Sequence, residues 1–179
     1  MRSNVLSFCA GVALPAVVIF GLSGTLAAGP TVPVTVKPAP PGPLPAIPYE
    51  GYPAPRPIPV VQSVYEFAAR HPEVLQYQPC FCGCDHSAGH KSNVDCFVHR
   101  RAADGRILEW DSHGYGCAVC IDVARDSMRM FNSGASVSSI RAAIDAKYGA
   151  RGGTTMQTPK PPTPAAAAAP APVTPAKKK

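Results

Sequence analysis

Six cysteines crowd into one short stretch of this chain, and they constrain its fold more than any other feature. They lie within 41 of the 179 residues, at Cys80, Cys82, Cys84, Cys96, Cys117 and Cys120. An average domain is far poorer in cysteine. Such a concentration of sulfur indicates a fold that is held together by metal–thiolate bonds or by disulfides.

The net charge of +6 does not belong to the cysteine-rich region. Residues 61–149 carry nine Lys and Arg against ten Asp and Glu, whereas the rest of the chain carries eight basic residues and one acidic residue, Glu50. Domains that bind nucleic acid cluster their basic residues on one face of the fold. The charge distribution therefore excludes a basic phosphate-binding domain, and no nucleic-acid partner is expected.

The two ends of the chain differ in character from the middle. Residues 5–28 contain no charged side chain, and this run is long enough to cross a hydrocarbon core of about 30 Å. We expect an exported protein, periplasmic or at the cell surface, in which 1–28 is a signal peptide or a retained membrane anchor. Twelve prolines in residues 29–59 predict a stiff linker at 29–60, and the composition of 150–179 predicts a disordered Pro/Ala/Lys tail.

The remaining window, 61–149, is small enough that disulfides or a metal would supplement its core. Apolar residues recur at helical spacing before the first cysteine and after Cys117, and Ser136 precedes the last such run as a helix cap. Frequent glycines mark turns between 80 and 116, with a short strand expected at 106–110. The predicted fold class is mostly α: a small Cys-rich helical domain with a long irregular central loop, flanked by disordered Pro/Ala-rich segments.

The cysteine motifs resemble those of one protein family. Pro-Cys-Phe-Cys-Gly-Cys at 79–84, Gly-His-Lys-Ser-Asn at 89–93 and Cys-Ala-Val-Cys at 117–120 are similar to the PCYCGC-motif proteins, with Phe81 where the motif has tyrosine. The resemblance covers about the whole of 61–149. It implies an exported bacterial protein, often a lipoprotein, and it implies no particular mechanism.

The spacing of the first three cysteines favours metal over disulfide. Alternate sulfurs on an extended chain lie roughly 6–7 Å apart, and Gly83 allows the backbone to fold so that several thiolates converge. Neighbouring cysteines in C-x-C join badly to each other. A disulfide scaffold would instead pair Cys80, Cys82 and Cys84 with the other three cysteines, and this alternative stays open.

Further ligands are expected on the second half of the domain and in the turn after Cys84. Cys117 and Cys120 lie three residues apart on one helix face, where the helix dipole favours thiolates. Met128, eleven residues beyond Cys117, returns to within roughly 20° of the same face. The histidines close to the cysteines complete the candidate metal ligands: His86, His90 and His113.

Six thiols and a thioether exceed the four ligands of one tetrahedral zinc ion, and soft sulfur in this number selects Cu(I). We therefore expect a copper-buffering or copper hand-over protein, whose partners are metal ions and a metal-exchanging protein. A structural zinc site or a disulfide-stapled interaction module is the alternative. An enzyme is not expected, since nothing in the sequence fixes Cys117, His113 and Asp111 as a catalytic set, although thiol redox activity stays open.

Overall fold

The computed structural model describes residues 36–150, 154 and 156–162. All of them belong to one unit, Pro33–Lys179. The predicted signal or anchor segment at 1–28 and most of the predicted tail at 150–179 lie outside the described residues. Among the helices of the described part, none is both long and apolar enough to cross a membrane.

Three long helices form the framework, and shorter segments connect the first to the second. The long helices are α1 (Ile58–Arg70), α5 (Ala118–Asn132) and α6 (Val137–Gly149). Between α1 and α5 lie α2 (Pro72–Leu75), α3 (Cys84–Ser87), a 3-10 helix (Asn93–Cys96), strands β1 (Val98–Arg101) and β2 (Ile107–Trp110), and α4 (His113–Gly116). The mostly helical class is confirmed, as is the short strand before Asp111, which pairs antiparallel with β1. The central loop thus contains several short elements.

The core lies where α1 and α6 pack against α5. Apolar side chains at helical spacing are buried along all three helices: Val61, Val64 and Ala68; Ile121 and Ala124; Ile140, Ile144 and Tyr148. Each fully buried aliphatic side chain contributes roughly 1.5–3 kcal/mol. This packing fixes α5, the helix whose first turn carries Cys120.

The ends of the last two helices follow the local signals in the sequence. Gly134, just after α5, adopts φ +86°, a left-handed conformation that favours glycine. The Ser136 hydroxyl accepts a hydrogen bond from the Ser139 N–H at 3.2 Å and caps α6. Both predicted boundaries are confirmed.

An aromatic cluster attaches the β-hairpin to α1. The Tyr65 ring meets those of Phe97 and Trp110 edge to face, with centroids 5.1 Å and 5.3 Å away. The Tyr65 hydroxyl donates to the main-chain oxygen of Asp111 at 2.7 Å, and Arg101 donates to the last carbonyls of α1. The hairpin therefore holds the residues just before β1 and just after β2 at fixed positions beside α1.

Part of the predicted linker lies against the domain. Within residues 36–57, the Ala39 N–H donates to the Ala69 carbonyl at 2.8 Å, and the Trp110 indole donates to the Pro45 carbonyl at 3.1 Å. This stretch contains no helix or strand, as its proline content predicts. Over this part the flanking segment is not a free spacer, and it covers one side of α1 and the hairpin.

Candidate metal centre

The first three cysteines converge because the chain turns at Gly83. This residue adopts φ +80°, a backbone conformation that residues with a Cβ rarely adopt. Helix α3 begins directly after it at Cys84. The Cys80 and Cys82 sulfurs lie 3.2 Å apart. The turn therefore brings sulfurs together that an extended chain would separate by about 6–7 Å.

The N-terminus of α5 brings the last two cysteines to the same place. Cys117 is the N-cap residue, and its sulfur accepts a hydrogen bond from the Cys120 N–H at 3.4 Å. The fully buried Asn93 side chain donates to the Cys120 carbonyl at 3.3 Å, while the Asn93 N–H donates to the Gln78 carbonyl at 2.7 Å. The side chain and the main-chain N–H of Asn93 together thus tie the start of α5 to the segment that leads into Cys80.

Four fully buried sulfurs form what we call the inner group: Cys80, Cys84, Cys96 and Cys120. All four sulfurs lie within 4.8 Å of one another. The Cys80 and Cys120 sulfurs are 3.1 Å apart, and those of Cys84 and Cys96 are 3.7 Å apart. Metal–sulfur bonds of about 2.3 Å in a tetrahedron place sulfurs about 3.8 Å apart. The inner group can therefore hold one metal ion.

A second set of ligand atoms, the outer group, lies closer to solvent: Cys82, His113, Cys117 and Cys120. Its ligand atoms also lie within 4.8 Å of one another. The Cys82 sulfur is 3.4 Å from His113 Nε2 and 3.6 Å from the Cys120 sulfur. Cys82 is exposed, and Cys117 and His113 are half-buried. This set can hold an ion that solvent reaches.

His90 lies beside the inner group with a carboxylate behind it. Its side chain is only 7% exposed, and its Nε2 lies 3.3 Å from Asp111 Oδ2. Its buried Nδ1 has no hydrogen-bond partner among the described residues. The Asp111 carboxylate, with Cys84 and Cys96 nearby, raises the pKa of His90 to about 12. This carboxylate–imidazole pair lies beside the inner group, and His90 itself is in neither group of ligand atoms.

The pKa is lowered for some cysteine sulfurs of the two groups and raised for others. Hydrogen bonding from Cys120 is the largest influence that lowers the pKa of Cys84 and of Cys117, and hydrogen bonding with Cys117 contributes most to raising the pKa of Cys120. Interaction with Cys117 and then with Cys82 raises the pKa of His113 to about 12. The thiolate, the form that ligates metals, is therefore favoured at Cys84 and Cys117 and disfavoured at Cys120 before any metal binds.

Two of the predicted ligands, His86 and Met128, lie away from both groups. Their predicted role as ligands therefore has no support from the structure. The His86 side chain is 73% exposed, with its Nε2 3.7 Å from Asp85 Oδ2. Met128 is half-buried and packs against the hydrophobic core. The two groups contain neither residue, and His90, although it lies beside the inner group, also belongs to neither group.

The segment after α6 supplies a contact that the sequence analysis missed. The Cys80 N–H donates to the Met156 sulfur at 3.2 Å, and the Thr154 hydroxyl donates to the Cys80 carbonyl at 2.6 Å. Met156 is 5% exposed and belongs to the core. It is the one methionine in the predicted tail at 150–179, and a lone large apolar residue among Thr, Pro and Ala was the available signal.

Gly114 packs closely against the Phe97 ring and the main chain of Cys96, a residue of the inner group. A Cβ at this position would lie 2.5 Å from Phe97 Cδ1 and 2.6 Å from the Cys96 carbonyl oxygen. We expect Gly114→Ala to lower the free energy of unfolding by about 1–3 kcal/mol, because the clash involves main chain that cannot move alone. Urea denaturation of the metal-free protein measures the loss.

Gly149→Ala is the matched control. A Cβ there meets nothing within 4 Å, and Gly149 is the last residue of α6. This variant should unfold within about 0.5 kcal/mol of the wild type or be slightly more stable, since alanine favours helix. Equal stability of the Gly114 and Gly149 variants would show that the turn at α4 yields without cost.

These observations define a class of protein: a small helical domain built around six free thiols with two histidines beside them. The family model for proteins of unknown function with a PCYCGC motif matches residues 55–161. The chain therefore belongs to this family, and the resemblance seen in its motifs is confirmed. No curated protein and no solved structure matches the chain.

Proposed function

We propose that this protein is an exported binder of soft metal ions that holds Cu(I) through its clustered thiolates, for buffering or for transfer to another protein. One observation carries the proposal: six free cysteine sulfurs form two contiguous groups of ligand atoms, each confined within 4.8 Å. Smaller apolar residues would pack the same space, so packing alone does not explain such a concentration of free thiols.

The choice of Cu(I) rests on the softness and number of the donors. Thiolates select soft metal ions, Cu(I) among them, and carboxylate oxygens are absent from both groups. Cu(I) also accepts low coordination numbers and bridging thiolates, so it tolerates sulfurs that are shared between ions. Met156, whose sulfur already contacts the Cys80 N–H, places a further soft atom at the edge of the inner group.

A structural zinc ion is the second candidate, and the inner group is the observation that favours it. Four fully buried cysteines form a closed site of the kind that structural zinc occupies. The outer group is harder to explain in this way, because a purely structural ion needs no exposed cysteine such as Cys82.

The proposal does not include catalysis. Asp111 Oδ1 accepts a hydrogen bond from the main-chain N–H of His113 at 2.8 Å, and its Oδ2 faces His90. These contacts join the carboxylate to the His113 main chain and to His90, so the proposal gives Asp111 no part in orienting a base for a nucleophilic cysteine. Export is supported by the charge-free run at 5–28, which has the composition of a signal peptide or membrane anchor.

Anaerobic titration of the reduced full-length protein with Cu(I) tests the proposal. We expect tight binding of more than one ion per chain, monitored by native mass spectrometry, and displacement of pre-bound zinc by Cu(I). The mass of the protein should be measured before reduction. Three native disulfides in that material, or a single zinc ion that Cu(I) does not displace, would contradict the copper proposal.

A further inference from the structure

The inner and outer groups have one ligand in common, the sulfur of Cys120. This sulfur lies 3.1 Å from that of Cys80 in the inner group and 3.6 Å from that of Cys82 in the outer group. Two ions cannot each take a full set of ligands here unless Cys120 binds both. Cysteine thiolates can bridge two metal ions, so the geometry permits simultaneous occupancy.

The two groups also differ in their access to solvent. The four inner cysteines are 0% exposed, whereas the Cys82 side of the outer group is open. An ion in the inner group has no direct contact with an incoming ligand. An ion in the outer group can be attacked by a thiolate or chelator from solution, which is how metal ions pass between proteins without being released.

A short path connects the two positions. Cys82 lies in the outer group, and its sulfur is 3.2 Å from that of Cys80 in the inner group. With Cys120 in both groups, an ion that moves from one position to the other can form a new sulfur bond before it loses an old one. The movement therefore needs no free ion and no large change in the fold.

We propose that the protein holds two Cu(I) ions that share the Cys120 thiolate: an inner ion that is retained and an outer ion that is exchanged with a thiolate-bearing partner. This inference rests on the proposed function and assigns a different task to each half of the site. The Cys120 bridge keeps the ions within about 4.6 Å, which is twice a metal–sulfur bond of about 2.3 Å. Loss of one ion then turns Cys120 from a bridging into a terminal ligand of the other ion.

The kinetics of Cu(I) removal test this division. The reduced full-length protein is loaded with Cu(I) without oxygen and mixed with excess of a chromophoric Cu(I) chelator. We expect two phases of equal amplitude, because the chelator reaches the ion beside exposed Cys82 directly and the ion among the buried cysteines only after it moves. One ion should be left on the protein between the two phases.

Variants assign the phases to the two groups. Cys82→Ser and His113→Gln should abolish the fast phase and leave the slow ion, whereas Cys84→Ser should abolish the slow phase. Cys120→Ser should lower the affinity of the protein for both ions by at least about tenfold, because both ions lose a ligand. His86→Gln is the matched control for His113→Gln, since His86 is in neither group, and both phases should persist. Cys82 is exposed, so its variant keeps the fold and decides the assignment without a buried substitution.

Several outcomes would overturn the division. A single phase for both ions would show that the groups are equivalent, and a Cys120→Ser protein that loses one ion while the other exchanges as in wild type would exclude the bridge. Both of these results leave Cu(I) binding in place, and they contradict only this inference. A wild-type protein that binds no Cu(I) would overturn the proposed function and the division together.

Discussion

Loading with Cu(I) should raise the melting temperature of the reduced protein by roughly 15–30 °C. A ligand that binds only the native state stabilises it by about 4 kcal/mol when its free concentration is about 1,000 times its dissociation constant. Each kcal/mol shifts the midpoint by about 4–8 °C in a domain of about 100 residues. Differential scanning calorimetry of the metal-free and the loaded protein, both without oxygen, measures the shift.

The physical reason for so large an effect lies in the inner group. Its four sulfurs are fully buried, and they come from four separate parts of the chain: the irregular segment at Cys80, α3, the 3-10 helix and α5. Buried thiolates without a cation are costly, because charge has been removed from water without compensation. A metal ion supplies the compensating charge and joins the elements, whereas the unfolded chain cannot hold the four sulfurs together.

Two comparisons sharpen this prediction. Excess chelator should return the melting temperature to that of the metal-free protein, which shows that the gain comes from binding. The double variant Cys84→Ser, Cys96→Ser should lose most of the gain, and Cys82→Ser should lose less because Cys82 is exposed. If the loaded and the metal-free protein have the same melting temperature, the cysteines do not bind the ion in the native fold.

The sequence predicts those parts of the fold that depend on local signals. Helical spacing locates α5 and α6, the caps at Gly134 and Ser136 end and begin them, and the short strand before Asp111 forms β2. Each of these signals acts within a few residues along the chain. The structure agrees with them because the core packing does not oppose any of these local preferences.

Contacts between distant segments are where the sequence is silent. Met156 reaches Cys80 across 76 residues, and the proline-rich segment lies against α1 and the hairpin without any periodic pattern to indicate it. The sharing of Cys120 also depends on how the segment between Cys80 and α3, helix α3 itself, the 3-10 helix and the start of α5 meet. The helical angle from Cys117 to Met128 presumes that Cys117 is helical, yet it is the extended N-cap residue with φ −107° and ψ 104°.

Phe97→Ala should lower the free energy of unfolding of the metal-free protein by about 3–5 kcal/mol. The Phe97 ring is fully buried, packs edge to face on Tyr65, and lies where a Cβ on Gly114 would touch it. Its removal leaves a cavity between α1, the hairpin and the turn at α4. Small domains are stable by only about 5–15 kcal/mol, so urea denaturation should show a large fraction of the stability lost.

Leu108→Ala is the control for Phe97→Ala, because Leu108 is a large apolar residue of the hairpin that follows Phe97 and is 45% exposed. It should cost less than about 1 kcal/mol of the free energy of unfolding.

Phe97 directly follows Cys96 of the inner group. In the loaded Phe97→Ala protein, the destabilisation by the substitution and the stabilisation by Cu(I) should therefore oppose each other. Cu(I) should restore about 4 kcal/mol to Phe97→Ala if the native site still forms. A variant that stays as unstable when loaded would show that the aromatic cluster is needed to assemble the inner group, because the metal then finds no native site to stabilise.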